Sequence, residues 1–189
     1  MNQAVTAIIL AGGRGSRMGG IDKGLMDFDG APIVSRVIER INPQVDRLLI
    51  SANRNLETYR SLGFPVYSDQ LNDYQGPLAG VISTALHADT PLLLTTPCDT
   101  PNLPLDLCNK LQQSLTEHNA RIAIANDGER NQQLCMLFHT ELLDDMNDYL
   151  NCGNRSVKGW LENHNPAVSV LSEVKNAFLN INEPAALRP

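Results

Sequence analysis

Glycines and basic side chains are concentrated in one segment near the beginning of the sequence, LAGGRGSRMGGIDKG at residues 10–24. Glycine lets backbone N–H groups approach a ligand closely and adopt positive φ, so successive N–H groups can form an anion-binding concavity. Arg14, Arg17 and Lys23 add positive charge to this segment, although the whole chain has a net charge of −6. The segment therefore predicts a site for a phosphate-bearing ligand.

Two familiar phosphate loops are excluded by spacing. Gly15 and Gly20 have the separation of a P-loop, but Ile21 stands where that motif requires lysine. A dinucleotide-binding fingerprint would need glycine at position 18, where the sequence has Met18. A surface loop with incidental charges stays open as an alternative, although a long loop inside a compact domain is usually functional.

The segments that must position this loop alternate between short apolar strands and helices. Strands are predicted at residues 5–10, 47–51, 65–67, 92–95, 122–125 and 134–138, and helices at 32–41, 56–62, 78–87, 105–117 and 141–150. Weaker signals predict a helix at 157–162, a strand near Val168 and a short helix after Pro184. The alternation predicts an α/β fold of three layers, with a mainly parallel, twisted sheet and helices on both faces. In such folds, ligands bind beyond the carboxyl ends of the strands.

Length and composition restrict the class of protein. With 189 residues and 42% hydrophobic side chains, we expect a single domain over residues 1–189. The acidic balance argues against a nucleic-acid-binding surface, and no apolar stretch approaches the length of a membrane span. The first residues lack the basic region of a signal peptide, so we expect a cytoplasmic protein. Its cysteines, predicted to be reduced thiols, are Cys98, Cys108, Cys135 and Cys152.

Nine short motifs follow one another along nearly the whole chain. They are LAGG at 10–13, RMG at 17–19, DK at 22–23, SANR at 51–54, Asp69, GPLAG at 76–80, PCDTP at 97–101, DGER at 127–130 and NINEP at 180–184. Each motif alone is weak, but together and in this order they are specific. The set resembles the molybdenum cofactor guanylyltransferases, the MobA family of Rossmann-like nucleotidyltransferases.

The resemblance implies transfer of GMP from GTP to the terminal phosphate of molybdopterin, which releases pyrophosphate and forms molybdopterin guanine dinucleotide. The N-terminal part of the domain would bind the nucleotide, and the C-terminal part would bind molybdopterin. The resemblance further implies Mg²⁺ as cofactor and transient contacts with molybdenum cofactor synthesis proteins and molybdoenzyme chaperones. A monomer is the default expectation.

The resemblance also assigns roles to individual residues. Leu10, Ala11 and Gly12 would border the guanine with their backbone. Lys23 would contact a phosphate, and Asp99 would bind Mg²⁺. Ser51 departs from the family pattern, because asparagine is usual at this position. The full set assigned to GTP is Leu10, Ala11, Gly12, Gly13, Lys23, Ser51, Asp69 and Asp99.

The chemistry of the reaction supports these roles from the residues themselves. Displacement at phosphorus needs the incoming and leaving oxygens in line, with the negative charge neutralised by cations. Lys23, supported by Arg17, is predicted to do this, and Asp99 follows the predicted strand at 92–95, where a carboxylate can take one position on Mg²⁺. A helix cap or a local turn at Asp99 stays open. A phosphate monoester is substantially ionised near pH 7 and needs no general base, in keeping with the absence of histidine from every motif.

The residues that contact the base and the pterin are predicted from weaker signals. A carboxylate at Asp69 could accept hydrogen bonds from guanine, with a surface turn as the alternative, and Gly12 leaves room for a purine, which favours GTP over CTP. Arg130 is the predicted pterin contact. Asn180 and Asn182, also assigned to the molybdopterin side, alternate along the chain and would face one side of an extended segment. They could complete the metal or phosphate shell, although Asn182 could instead cap the last helix.

Two other functions are compatible with the same residues. One is a nucleotidyltransferase of the same fold that uses another base or acceptor, such as a cytidylyltransferase. The other is a nucleotide-binding regulator or chaperone for molybdoenzymes that does not catalyse. The second would bind GTP without turnover, and the presence of both Lys23 and Asp99 argues against it.

Overall fold

The computed structural model describes residues 3–11, 22–69, 76–172 and 176–181. The strands in these ranges are β1 (Val5–Leu10), β2 (Asp27–Phe28), β3 (Ala31–Pro32), β4 (Arg47–Ser51), β5 (Val66–Tyr67), β6 (Leu92–Pro97), β7 (Ile122–Asn126), β8 (Asn131–His139) and β9 (Ala167–Val170). The helices are α1 (Ile33–Ile41), α2 (Leu56–Arg60), α3 (Pro77–Ala85), α4 (Leu107–Glu117), α5 (Leu143–Asn151) and α6 (Val157–Glu162).

Seven of the described strands form one sheet in the order β5-β4-β1-β6-β8-β7-β9. Strands β5, β4, β1 and β6 run parallel to one another, and β7 runs parallel to β9. Strand β8 is antiparallel to both of its neighbours, so β7 runs in the same direction as β6. The sheet is thus mainly parallel, which confirms the α/β fold class predicted from the sequence.

Different helices cover the two faces of this sheet. Successive side chains of a strand point to opposite faces, and in β1 Ala7 and Ile9 belong to one buried cluster while Ile8 belongs to the other. The first cluster includes buried side chains of α1, α2 and α4, and the second includes those of α3, α5 and α6. Because both faces are buried, the strands read as continuous apolar runs in the sequence.

Trp160 shows how the second cluster is built. The indole is fully buried, packs edge to face against Phe138 and donates its N–H to Asp145 Oδ2 over 2.8 Å. Ser156 caps the short helix α6 that carries this residue, by accepting a hydrogen bond from the Gly159 N–H. Trp160 is therefore a core residue, as expected for a large aromatic side chain whose polar atom finds a partner.

The structure differs from the sequence prediction in several elements. The hairpin of β2 and β3 was not predicted, because two-residue strands leave no periodic pattern; its turn places Asp29 and Gly30 at positive φ. Strand β8 begins three residues before the predicted segment, since its first part is less buried and more polar. The helix expected after Pro184 lies outside the described residues. Across the described ranges, no helix has the length and apolar character needed to cross a membrane.

Candidate active site

The carboxyl ends of four parallel strands are aligned in one row. Tyr67 of β5 pairs with Ser51 of β4, Ser51 pairs with Leu10 of β1, and Leu10 pairs with Pro97 of β6. The row continues through the hydrogen bonds from Ala11 N–H to the Ser51 carbonyl and from Cys98 N–H to the Leu10 carbonyl. Residues that follow these strands therefore project beyond a single edge of the sheet.

Lys23 and Asp99 meet at the β6 end of this row. Lys23 begins a short 3₁₀ turn, Lys23–Leu25, and its Nζ lies 3.8 Å from Asp99 Oδ2. The Lys23 side chain is 36% exposed and the Asp99 side chain 13% exposed, so the ion pair is accessible from the Lys23 side. The structure thus brings together the two residues to which the sequence assigned the phosphate and the metal.

The Asp99 carboxyl group is held in a partly desolvated position. Burial raises its pKa above the ordinary value, while Lys23 and a backbone hydrogen bond act in the opposite direction. Burial disfavours the carboxylate, and a cation beside it favours the charged form. A second cation on Asp99 would stabilise the carboxylate further, which is the electrostatic situation expected of a metal ligand.

The segment at residues 176–181 packs beside Asp99. The Ile181 N–H donates a hydrogen bond of 2.9 Å to the backbone carbonyl of Asp99, and the side chains of Ala177, Phe178 and Ile181 are buried. Asn180 is exposed directly before this anchor. The structure therefore places Asn180 beside the residue that carries the predicted metal ligand.

Asp69 occupies the other end of the row, two residues beyond β5. Its backbone N–H donates to Asn53 Oδ1 over 2.8 Å, and its Oδ1 accepts a hydrogen bond from Ser83 Oγ over 3.2 Å. Asn53 follows β4, and Ser83 lies on α3, where it is buried. Asn53 and Ser83 were not singled out individually from the sequence, although Asn53 belongs to the SANR motif. Asp69 is thus held at its backbone by Asn53 and at its side chain by Ser83, which is more than a surface turn requires.

Ser51 is buried against helix α3 at a point where the helix has no side chain. A Cβ atom added to Gly80 would lie 2.6 Å from Ser51 Oγ and 3.9 Å from Leu10 Cδ2. Real Cβ atoms are almost never found at the first of these distances. The second glycine of the GPLAG motif therefore allows α3 to approach the ends of β4 and β1.

This close approach gives a stability prediction. We expect Gly80→Ala to destabilise the protein by about 1–3 kcal/mol, the usual cost of overpacking. In a Ser51→Ala background the obstructing hydroxyl is absent, and alanine has the higher helix propensity by about 0.8–1 kcal/mol. In that background Gly80→Ala should therefore stabilise the protein. Urea unfolding of the four proteins measures both values, and an equal effect of Gly80→Ala in the two backgrounds would contradict this explanation.

Arg130 lies farther along the same edge, in the connection between β7 and β8. Its side chain is 75% exposed, and its Nε is 3.5 Å from Asp127 Oδ2. Asp127 Oδ1 accepts hydrogen bonds from the backbone N–H groups of Glu129 and Arg130, and these bonds, that of Arg130 first, lower the pKa of the Asp127 carboxyl. Because β7 is parallel to β6, this exposed cation lies at the same edge of the sheet as Asp99.

Several of the predicted site residues are outside the described ranges. Gly12, Gly13 and Arg17 of the glycine-rich segment belong to this group, as does Asn182. Their roles stay predictions. Leu10 and Ala11, the first two residues of the segment, lie at the centre of the row between Ser51 and Asp99.

A metal at this edge would depend on Asp99. In the portion of the chain that the structure covers, no group of three or more His, Cys, Asp or Glu side chains is arranged to hold a metal ion. Mg²⁺ does not need such a cage, because it is usually bound by one or two carboxylates, with substrate phosphates and water completing the octahedron. Cys98 beside Asp99 is buried, and burial raises the pKa of its thiol, so it is a packing residue.

A groove of about 650 Å³ opens at the opposite edge of the sheet, next to the first residue of β6 and the last of β8. Its lining includes neutral amide side chains such as Gln3, Asn109 and Gln112. None of the residues predicted to carry chemistry is among those that line it. The candidate site is therefore located by its aligned motifs rather than by the size of a cavity.

The chain matches a known protein family over the range that contains this site. A family model described as "MobA-like NTP transferase domain" matches residues 7–168, a range that includes the row of strand ends, Lys23, Asp69 and Asp99. The chain belongs to this family of nucleotidyltransferases. The family resemblance inferred from the sequence motifs is thereby confirmed.

Curated relatives narrow the comparison. A protein of Shewanella piezotolerans named "Molybdenum cofactor guanylyltransferase" is 44% identical over 184 residues, covering 97% of this chain and 90% of that protein. A protein of the same name from Ralstonia nicotianae is 45% identical over 193 residues, covering 97% of this chain and 94% of that protein. The similarity extends over nearly the full length of both relatives.

Solved structures share the fold at low sequence identity. Molybdopterin-guanine dinucleotide biosynthesis protein A from Archaeoglobus fulgidus superposes with a TM-score of 0.76 at 17% identity, covering 96% of this chain and 94% of that chain. A 2-C-methyl-D-erythritol 4-phosphate cytidylyltransferase from Thermus thermophilus superposes with a TM-score of 0.68 at 15% identity, covering 99% and 96%. The Rossmann-like nucleotidyltransferase fold is thus common to proteins named for different bases and acceptors.

Proposed function

We propose that this protein is a molybdenum cofactor guanylyltransferase, which transfers GMP from GTP to the terminal phosphate of molybdopterin. The observation that carries the proposal is the similarity to relatives of that name over nearly the whole chain, with Lys23 and Asp99 adjacent at one strand edge. A phosphate oxygen of molybdopterin forms a bond to the α-phosphorus of GTP, and the bond from that phosphorus to the bridging oxygen breaks. The products are molybdopterin guanine dinucleotide and pyrophosphate.

The proposed roles of the residues follow their order along the row of strand ends. Asp69 and Ser51, at the β5 and β4 ends, lie on the side proposed to bind the nucleoside, with the backbone of Leu10 and Ala11 beside them. Adjacent strands are about 4.8 Å apart, so the β5 and β6 ends are separated by roughly 14 Å. A nucleotide laid across this distance would have its base toward Asp69 and its phosphates toward Lys23 and Asp99.

Lys23 is proposed to neutralise charge on the phosphates during transfer. The ammonium group is partly exposed beside Asp99, so it can reach a phosphate without leaving the carboxylate. Arg17 is proposed to assist from the glycine-rich segment. The attacking phosphate is already ionised, and none of these residues is required to remove a proton.

Asp99 is proposed to hold Mg²⁺ together with the phosphates of the nucleotide. The residues present fit this ion, because a carboxylate oxygen is a hard ligand and Lys23 would not repel the accompanying phosphates. When bound, Mg²⁺ would neutralise negative charge on the triphosphate and help to align it. The backbone of Asp99 is anchored, because its main-chain carbonyl accepts a hydrogen bond from the Ile181 N–H.

The acceptor would enter over the other half of the edge. Arg130 presents an exposed guanidinium beyond β7, and Asn180 lies near Asp99. A guanidinium binds phosphate through directed N–H donors, so Arg130 suits the anionic end of molybdopterin. Asn182 is proposed to act with Asn180. Transient contacts with other cofactor synthesis proteins and with molybdoenzyme chaperones, a monomeric state and a cytoplasmic location stay predictions.

Pyrophosphate release tests the proposal. The purified protein is incubated with Mg²⁺ and each of the four NTPs, with and without molybdopterin. We expect release only with GTP and molybdopterin together. Release with another nucleotide would indicate a different nucleotidyltransferase, and GTP binding without release would indicate a non-catalytic carrier. Omission of Mg²⁺ tests the metal separately, and full activity without any divalent cation would contradict that part.

A further inference from the structure

The carboxylate of Asp22, the residue directly before Lys23, is held by three side chains of one neighbouring segment. Tyr59 donates its hydroxyl to Oδ1 over 2.7 Å, and Asn55 donates its amide to Oδ2 over 2.9 Å. Arg54 lies 3.5 Å from the same Oδ2 through its Nε. The Asp22 side chain is only 7% exposed, so its charge is compensated inside the protein rather than by water.

Tyr59 also contacts the residue on the other side of Lys23. A Cβ atom added to Gly24 would lie 2.6 Å from the Tyr59 hydroxyl oxygen and 3.1 Å from Cys98 Sγ. Gly24 is therefore packed between α2, which carries Tyr59, and the residue that precedes Asp99. One buried hydroxyl group thus contacts the side chain before Lys23 and the backbone after it.

The tyrosine that makes this contact is part of the hydrophobic core. Tyr59 is fully buried in the core cluster that contains α1 and α4. Burial raises the pKa of its hydroxyl above the ordinary value, and the nearby Cys98 and Asp22 act in the same direction. The hydroxyl therefore stays protonated at pH 7 and can donate to Asp22.

We propose that Tyr59 and Asp22 are positioning residues for Lys23: their buried hydrogen bond fixes the 3₁₀ turn that holds the lysine ammonium group beside Asp99. This inference rests on the proposed role of Lys23 in neutralising charge on the phosphates during transfer. A lysine side chain has many rotamers, and fixing the backbone on both sides of it reduces the number of positions that Nζ can reach. Neither Tyr59 nor Asp22 needs to touch substrate for this purpose.

Kinetics of the full-length protein test the proposal. Tyr59→Phe removes only the hydroxyl, and we expect kcat for pyrophosphate release to fall about ten- to hundredfold, the size of effect that a small misplacement of a reacting group causes. The KM for GTP should change less than threefold. Tyr149→Phe is the matched control, since the Tyr149 hydroxyl donates to the Ser156 carbonyl on the face of the sheet opposite to Tyr59, and it should leave kcat unchanged.

A double-substitution cycle separates positioning from a general loss of structure. If Tyr59 acts through Lys23, Tyr59→Phe should have no further effect on the residual rate of a Lys23→Met protein. An equal loss in both backgrounds would overturn the proposal. Asn55→Gly is a second probe that keeps the left-handed backbone, φ 51° at Asn55, and removes one donor to Asp22. Its kcat should fall in the same direction, and an unchanged kcat in both single variants would overturn the proposal.

A spectroscopic measurement keeps this test independent of the proposed function. The sequence has only four lysines, so reductive ¹³C-methylation gives a simple NMR spectrum in which Lys23→Met identifies the Lys23 signal. In Tyr59→Phe we expect this signal to move toward that of the exposed Lys158, whereas Tyr149→Phe should not move it. An unmoved Lys23 signal would count against the positioning role. If the wild-type protein released no pyrophosphate, the proposed function would fail and this signal would still decide the role of Tyr59.

Discussion

Asp99→Asn should lower the rate of pyrophosphate release by about 10²–10³, the size of effect found when one electrostatic contact to a transition state is removed. Asparagine keeps the shape of the side chain and one oxygen, but it loses the negative charge that would hold Mg²⁺. The rate should recover partly at high Mg²⁺ concentration, because weaker binding is compensated by mass action. Asp89→Asn is the control, since that carboxylate is exposed and pairs with Arg47, the first residue of β4, at the opposite edge of the sheet, and it should leave the rate within a fewfold.

The same substitution has a second, opposite consequence for stability. The pKa of Asp99 is raised in the folded protein, so at pH 7 its charged form costs stability. Asp99→Asn should therefore melt at a higher temperature than the wild type at pH 7. The difference should shrink as the pH falls through the folded pKa toward the ordinary value for aspartate, because the wild-type carboxyl group becomes neutral. A lower melting temperature of the variant at pH 7 would show that its ion pair with Lys23 outweighs the burial.

Lys23→Met should reduce turnover by a similar factor of about 10²–10³. Methionine has nearly the same length as lysine, so the loss would come from the missing charge rather than from a cavity. Lys158→Met is the matched control, because Lys158 pairs with Glu162 at 3.6 Å on α6, which packs on the face of the sheet opposite to Leu25 of the Lys23 turn. Rates of both variants at saturating GTP decide the prediction, and equal rates would remove Lys23 from the mechanism.

Lys23→Met also changes the pH dependence. Lys23 lowers the pKa of Asp99, so its removal should raise that pKa further above the ordinary value. The acidic limb of the pH–rate profile should then move to higher pH, since Asp99 must be ionised to bind a metal. If the limb stayed in place, the group that titrates would not be Asp99. Combining Lys23→Met with Asp99→Asn should cost less than the sum of the two effects, because the residues act as one unit.

The location of the site could be predicted from the sequence because it depends on chain direction. Asp69 and Asp99 each follow a short apolar run, and parallel strands bring such positions to one edge whatever their separation along the chain. The glycine-rich segment predicted that the ligand carries phosphate. The motifs then gave the family, which supplied the base and the acceptor that periodicity alone could not.

The side-chain partners could not be predicted, because tertiary packing creates them. Tyr59 lies on a helix of five residues with no motif of its own, and its contact with Asp22 arises only when α2 packs beside the 3₁₀ turn. Ser83 belongs to the apolar helix α3 and reaches Asp69 for the same reason. The reversed direction of β8 was also hidden, since a strand buried on both faces has the same pattern in either direction.

The connection between β7 and β8 has a consequence for how such proteins diverge. It is a hairpin loop closed by its own hydrogen bonds, with Asp127 accepting from Glu129 and Arg130. Insertions or replacements there would alter the surface proposed to bind the acceptor without changing the register of β5, β4, β1 and β6. The half of the edge proposed to bind the nucleotide could therefore be inherited unchanged, so that a new acceptor could evolve by changes in a single loop.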